Sequence, residues 1–154
     1  MRLEIERKYL LADSSWRQDC GPGHNICQGY FTQGADFLLR VRLIDAQAWL
    51  TIKGQTEGIT RREFEFPIPY SEGEALLREF CAHRVVEKIR YYLPYRGFTW
   101  EIDEYLGRNH GLFTAEIELP AQDCSFPLPS WLGREISQDP RYANAALAQQ
   151  PRQK

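Results

Sequence analysis

The chain has 154 residues, of which 43% are hydrophobic and 26% charged, the size and balance of a single globular domain. Its formal net charge of −2 excludes a strongly cationic surface and argues against a nucleic-acid partner. No apolar run approaches the roughly 18 residues that cross a bilayer, and the charged start at Arg2, Glu4 and Glu6 predicts no export signal, hence no membrane partner and a cytoplasmic location.

Period-two alternation, the mark of strands, dominates the chain. It predicts eight of them, over 3–11, 26–33, 37–44, 48–53, 61–68, 85–93, 98–106 and 112–119. Asp13 is placed to cap a short helix over 14–19, ended by Gly21-Pro22-Gly23. Ser71 followed by Glu74 reads as a capping box ahead of Ala75, Leu76, Leu77 and Phe80. Asp139-Pro140 reads as an N-cap with proline at the first helical position, opening a helix over 140–149 that Pro151 stops. Turn residues cluster at Gly34-Ala35-Asp36, Gly54 to Gly58 and Gly107 to Gly111. A single domain over 1–150 is expected, with residues 151–154 frayed. The fold class that follows is mainly β: an eight-stranded antiparallel barrel flanked by a few helices.

Cys20, Cys27, Cys81 and Cys124 form no C-x-x-C pair, and His24, His83 and His110 are scattered. Reduced thiols are expected, and a His-based metal site or Cys/His nucleophile is not.

The charges are the informative residues. They recur as doublets two residues apart, each of one sign: Glu4/Glu6, Arg40/Arg42, Glu63/Glu65, Lys88/Arg90, Glu101/Asp103 and Glu116/Glu118. Like charges on one strand face repel, so a strand gains nothing from them alone. Acidic doublets suit hard divalent cations, and basic ones suit phosphates, which arginine forks contact in pairs. A barrel of about eight strands can hold one small ligand. With the charged face inside, it becomes a hydrophilic tunnel whose apolar outside needs cover from helices or a partner subunit. Such a lining calls for a polyanion with divalent metal. The competing reading is a β-domain with its charged face in water.

In this order the residues resemble the CYTH superfamily, the triphosphate tunnel metalloenzymes. Glu4-Ile-Glu6-Arg-Lys8 matches its E-x-E-x-K signature. It is followed by Arg40-Val-Arg42, Thr51-Ile-Lys53, Arg61-Arg-Glu63-Phe-Glu65, Glu87-Lys88-Ile-Arg90, Asp103 and Glu116-Ile-Glu118. Gly133-Arg134-Glu135-Ile-Ser resembles the closing segment, with Arg134 where relatives often carry Lys. The resemblance implies an eight-stranded tunnel that takes triphosphates with Mg²⁺ or Mn²⁺, two per site. It is most like the small stand-alone inorganic triphosphatases, which cleave tripolyphosphate to pyrophosphate and phosphate. A class IV adenylate cyclase, a thiamine triphosphatase and a non-catalytic polyphosphate- or nucleotide-binding module are the alternatives.

On this reading Lys8, Arg40, Arg42, Lys53, Arg61, Lys88 and Arg90 bind the phosphate chain. Glu4, Glu6, Glu63, Asp103, Glu116 and Glu118 are candidate metal ligands. Glu63 and Glu65 are candidates to accept the proton of the attacking water, and Lys8 and Arg40 complete the catalytic set. Trp16, Trp49, Trp100 and Trp131 are candidates for stacking on an organic group or for packing. The C-terminal helix, apolar at Ala143, Ala145, Ala146 and Leu147, is a tunnel plug, an outer cover or a homodimer contact; the sequence leaves these open.

Overall fold

The computed structural model describes residues 1–31 and 36–149. Gly34 and Ala35 of the expected turn, the expected stop at Pro151 and the expected frayed end at 151–154 lie outside them. The strands are β1 (Arg2–Leu11), β2 (His24–Tyr30), β3 (Leu38–Ile44), β4 (Gln47–Lys53), β5 (Thr60–Ile68), β6 (Val85–Tyr95), β7 (Phe98–Tyr105), β8 (Phe113–Glu118) and β9 (Leu132–Glu135). The sheet runs β5-β4-β3-β2-β6-β7-β8-β1-β9, and β5 also pairs with β1. That pairing closes eight antiparallel strands into a barrel. β1 makes the closure: one edge lies along β8, and the other is shared between β5 at Arg2–Ile5 and β9 at Tyr9–Leu11. β9 is the one strand the alternation does not announce. Its four residues are held by the β1 edge that β5 leaves free.

The barrel is inside out, as the doublets require. Charged residues alternate inward and apolar ones outward, and the outward face is buried under two covers. Helix α1 (Tyr70–Phe80) lies on β2, β3 and β4, packing Leu77 and the following Cys81 against Val41, Leu43 and Ala48. The second cover contributes Trp16, Leu119 and Trp131 to a cluster with Tyr9, Leu93, Trp100, Ile102, Ala115 and Ile117. Trp16, Trp100 and Trp131 are therefore wall packing rather than tunnel residues. Trp49 shares the tunnel face with its strand partner Arg42.

The helix ends follow the caps in part. Asp13 accepts the Ser15 amide ahead of a 3-10 turn at Ser15–Gln18, and Asp139 accepts the Arg141 amide at 3.1 Å. The Ser71–Glu74 box does not form. Helix α1 starts two residues earlier than that cap requires, at Tyr70, because the Pro69 carbonyl accepts the Glu72 and Gly73 amides. The expected helix over 140–149 divides into a 3-10 turn at Pro140–Tyr142 and helix α2 (Asn144–Gln149), separated by extended Ala143. Among the described residues no helix is long and apolar enough to cross a membrane.

Helix α2 plugs one end of the barrel. Ala145, Leu147 and Ala148 pack on Tyr30, Val86, Tyr105 and Leu112, with Leu10, Leu38 and Tyr142 around them. Arg108 Nη2 donates to the Ala148 carbonyl at 2.9 Å and Asn109 Nδ2 to that of Leu147 at 3.2 Å. Of the roles that the sequence left open, these contacts within the chain match the tunnel plug.

Gly29 marks a tight seam between β2 and α1. A Cβ there would stand 2.6 Å from Cys81 Cβ and 2.6 Å from Leu77 Cδ2, so a side chain would push α1 off its strands. Gly29→Ala is expected to lower stability by about 1–3 kcal/mol, read as a shift in the urea midpoint at unchanged slope.

Candidate active site

The barrel interior holds a cavity of about 570 Å³, within the range of small-molecule sites. Twelve of the fourteen residues singled out from the sequence line it: Glu4, Glu6, Lys8, Arg40, Arg42, Lys53, Arg61, Glu63, Glu65, Arg90, Glu116 and Glu118. Lys88 and Asp103 do not. They are wholly buried behind the wall, 0% exposed. Arg2, Tyr30, Tyr92, Glu101 and the plug residues Tyr142 to Ala145 are also part of the lining.

Register explains how so many charges share one interior. Doublets carry one sign along a strand but mostly meet the opposite sign across it. Glu4 faces Arg61, Arg2 faces Glu63, Lys8 faces Glu116, Lys53 faces Glu63 and Arg90 faces Asp103. Lys53 Nζ lies 2.8 Å from Glu4 and 3.0 Å from Glu63, whose other oxygen takes Arg2 Nε at 2.7 Å. Arg90 grips Asp103 with Nε at 2.8 Å and Nη2 at 2.9 Å, and reaches Glu101 with Nη1 at 2.8 Å.

Two regions escape this matching. Glu6 faces Glu118 and Glu101 faces Glu116, so β1, β8 and β7 set carboxylates opposite carboxylates. Glu118 is met by Arg2 at 2.7 Å, Glu116 by Lys8 at 3.4 Å and Glu101 by Arg90 at 2.8 Å, which leaves Glu6, among the described residues, the one of the four without an ion pair. Around the closed ring, β8 stands opposite β3. There Arg42 donates only to neutral Gln28, at 2.9 Å. Arg40, 4% exposed, reaches Thr51 at 3.2 Å and Glu65 at 3.9 Å, and its buried Nε has no partner. An acidic wall thus faces a basic one.

The titration behaviour follows from these walls. Burial, then the Glu116 and Glu4 carboxylates, push the Glu6 carboxyl well above its usual range. Among the described residues Glu6 has no direct ion pair or hydrogen bond through its carboxylate. Burial, then repulsion from Arg40 and Arg90, bring Arg42 down to about 10. By contrast, burial acts to raise Glu116, but Lys8 and Arg90 outweigh it and hold the group at about 2. Glu63 is likewise held low, against burial, by hydrogen bonding with Glu4 and by Lys53 and Arg2.

Among the described residues no three His, Cys, Asp or Glu side chains form a ready-made metal cage. Mg²⁺ and Mn²⁺ do not need one, because they take one or two carboxylates with waters and substrate phosphates. Unpaired Glu6 is a hard-oxygen donor of the kind such a cation takes, while Glu4, Glu116 and Glu118 on the same wall are met by Lys53, Lys8 and Arg2. Asp103 is differently placed: its oxygens take three charge-assisted hydrogen bonds from Lys88 and Arg90.

Charge counting does not find Gln28, Tyr30 or Tyr92, because they carry none. Gln28 is 0% exposed, donates to the Tyr30 hydroxyl at 2.7 Å and accepts from Arg42. Their only signal is position, at every second residue of a strand whose neighbours turn outward.

A closed antiparallel barrel with an acidic wall facing a basic one, plugged at one end, is built to enclose a small polyanion. The chain matches the CYTH domain over residues 2–148 and belongs to that family. It is 42% identical to an inorganic triphosphatase of Acetivibrio thermocellus over 98% of this chain and 96% of that protein. An inorganic triphosphatase of Nitrosomonas europaea is 36% identical, over 94% and 96%. Among solved structures, the inorganic triphosphatase NE1496 superposes with a TM-score of 0.71 at 32% identity, covering 97% of both chains.

The raised Glu6 group has a measurable consequence. A carboxyl whose folded-state pKa exceeds its unfolded value costs stability as pH rises from the ordinary carboxylate range through the raised value. In EDTA, Glu6→Gln is therefore expected to melt higher than the parent at pH 8, by about 2–4 °C for each kcal/mol relieved. The gain should vanish near pH 4, where Glu6 is protonated in both states.

Proposed function

We propose that the protein hydrolyses tripolyphosphate to pyrophosphate and phosphate with Mg²⁺ or Mn²⁺, two per site. The observation that carries this reading is the pair of unbalanced walls. Glu6 lacks a cation and Arg42 lacks an anion, so a metal–polyphosphate complex supplies both missing charges at once. A polyanion alone would satisfy β3 and worsen β1 and β8; a metal ion alone would do the reverse. The curated relatives being inorganic triphosphatases supports the choice of substrate. The four free thiols fit a reducing, cytoplasmic setting.

Phosphoryl transfer needs positioning and charge neutralisation more than covalent chemistry. Arg40, Arg42, Lys53, Arg61 and Arg90 bind and orient the phosphate chain. Lys8, whose Nζ donates to the Tyr142 carbonyl at 2.8 Å, stands at the plugged end. Glu4, Glu6, Glu116 and Glu118 would hold the metal. When bound, it neutralises phosphate oxygens and supplies a water of lowered pKa. Of the two candidate proton acceptors, Glu63 is committed to Arg2 and Lys53. Glu65 is held only loosely, by Thr51 at 3.4 Å and Arg40 at 3.9 Å, so it is the one free to take a proton. The plug shuts the end near Lys8, so substrate enters from the other.

Purified protein is expected to release phosphate from tripolyphosphate with Mg²⁺ or Mn²⁺, and to lose that activity in EDTA. Rates on ATP and thiamine triphosphate should be far lower. Cyclic AMP formation from ATP, with tripolyphosphate left intact, would overturn the reading.

Arg40→Ala is expected to lower kcat/KM for tripolyphosphate by about 10²–10³-fold, the usual loss on removing one buried charge-stabilising donor. Its melting temperature should not fall, because the guanidinium is under-partnered in the native state. Near-parental turnover in this variant would remove Arg40 from the site.

A further inference from the structure

Lys88 and Asp103 belong to the basic and acidic series of the sequence, yet neither reaches the cavity. They sit between two residues that do, Arg90 on the wall and Asn144 on the plug. Asp103 Oδ2 is a shared acceptor, taking Lys88 Nζ at 2.7 Å and Arg90 Nη2 at 2.9 Å. The other side of Lys88 is met by Asn144 Oδ1 at 3.1 Å, which also accepts the Tyr105 hydroxyl at 3.0 Å. An ammonium has three donors and no acceptor, so a wholly buried one goes where its acceptors lie. Here those acceptors are Asp103 and Asn144.

We propose that Asn144 is a positioning residue: from the plug it fixes Lys88, and through the shared oxygen of Asp103 it sets the guanidinium of Arg90 that grips phosphate. This rests on the reading of Arg90 as a phosphate ligand. If Asn144 Oδ1 is removed, Lys88 keeps one strong acceptor and is free to swing about it. The oxygen it pulls on is the one that orients Arg90 Nη2. Seating of the plug does not depend on this contact, because Leu147 and its alanine neighbours pack on the barrel end and Arg108 ties down the Ala148 carbonyl. Position and docking are therefore separable by mutation.

Three variants test it: Asn144→Ala, Asn144→Asp, which keeps the acceptor oxygen, and Leu147→Ala, which loosens the plug and keeps Asn144. The readouts are the melting temperature, kcat and KM for tripolyphosphate with Mg²⁺, and the Kd for non-hydrolysable imidotriphosphate with Mg²⁺ by calorimetry. Asn144→Ala is expected to raise KM and Kd together by about 3- to 10-fold, the scale of one hydrogen bond, with kcat within about twofold and the melting temperature unchanged. Asn144→Asp should restore both constants. Leu147→Ala should lower the melting temperature and leave KM and Kd as in the parent. The proposal is overturned if Asn144→Ala binds like the parent, if the aspartate fails to rescue, or if Leu147→Ala weakens binding as much. Parental protein that binds tripolyphosphate but never cleaves it would sink the triphosphatase reading alone, and the Kd arm would still decide the role of Asn144.

Discussion

Everything in this molecule follows from turning the ionisable face of a β-sheet inward. Burying a charge is costly unless it is paired and hydrogen-bonded, and about a dozen such side chains line one cavity. The cost is met by register. Because the antiparallel ladder sets Glu4 beside Arg61, Lys8 beside Glu116 and Lys53 beside Glu63, most charges of one strand are answered by the strand next to it. A slip of one residue would turn those partners outward and apolar residues inward. The charges that endanger the fold thus also specify it. What register leaves unanswered, on β3 and across β1, β8 and β7, is what a ligand must supply. Local stability and function divide along that line.

The apolar half of the pattern is displaced outward. There is no central oily core; there are apolar layers between the barrel wall and its covers, plus the plug cluster at one end. This accounts for the tryptophans. Large aromatic surfaces gain most where they are buried, and in a hydrophilic tunnel that place is outside. Trp100 and Trp131 meet edge to face at 5.5 Å between ring centroids, under the cover. The outer wall of β5 is less protected, with Phe64 39% and Phe66 49% exposed, whereas Ile68 at its end packs with the α1 cluster.

Strand existence and facing were legible in the sequence because alternation is local: Leu39, Val41 and Leu43 against Arg40 and Arg42 needs nothing beyond β3 itself. Pairing partners were not legible, because they depend on which strands meet. The doublets therefore looked like charges in need of ligands, when many of them are one another's partners. The same non-local reason hid the burial of Lys88 and Asp103: within their strands they alternate just as Arg90 and Glu101 do, and only the plug makes their depth different. Strand β9 escaped because four residues are too few for a periodic signal, and its place exists only where β5 leaves β1. Gln28, Tyr30 and Tyr92 escaped because a neutral polar side chain inside a charged tunnel has no compositional mark.

The charge arrangement also constrains how a ligand is held. Were the interior uniformly basic, any polyanion of suitable size would be drawn in, and salt would govern the affinity. Instead, most cations already have carboxylate partners, so an incoming phosphate competes with Glu4, Glu63 or Glu101 for every lysine or arginine it contacts. Among the described lining residues, Arg42 has no carboxylate within ion-pair distance and Arg40 has Glu65 alone, at 3.9 Å. A phosphate chain seated against them presents its remaining oxygens toward the carboxylate wall across the barrel, where repulsion would expel it unless divalent cations lie between. On the proposed function, selectivity for metal-bound triphosphate over bare anion would be a property of the two walls together, and neither wall, taken alone, would provide it.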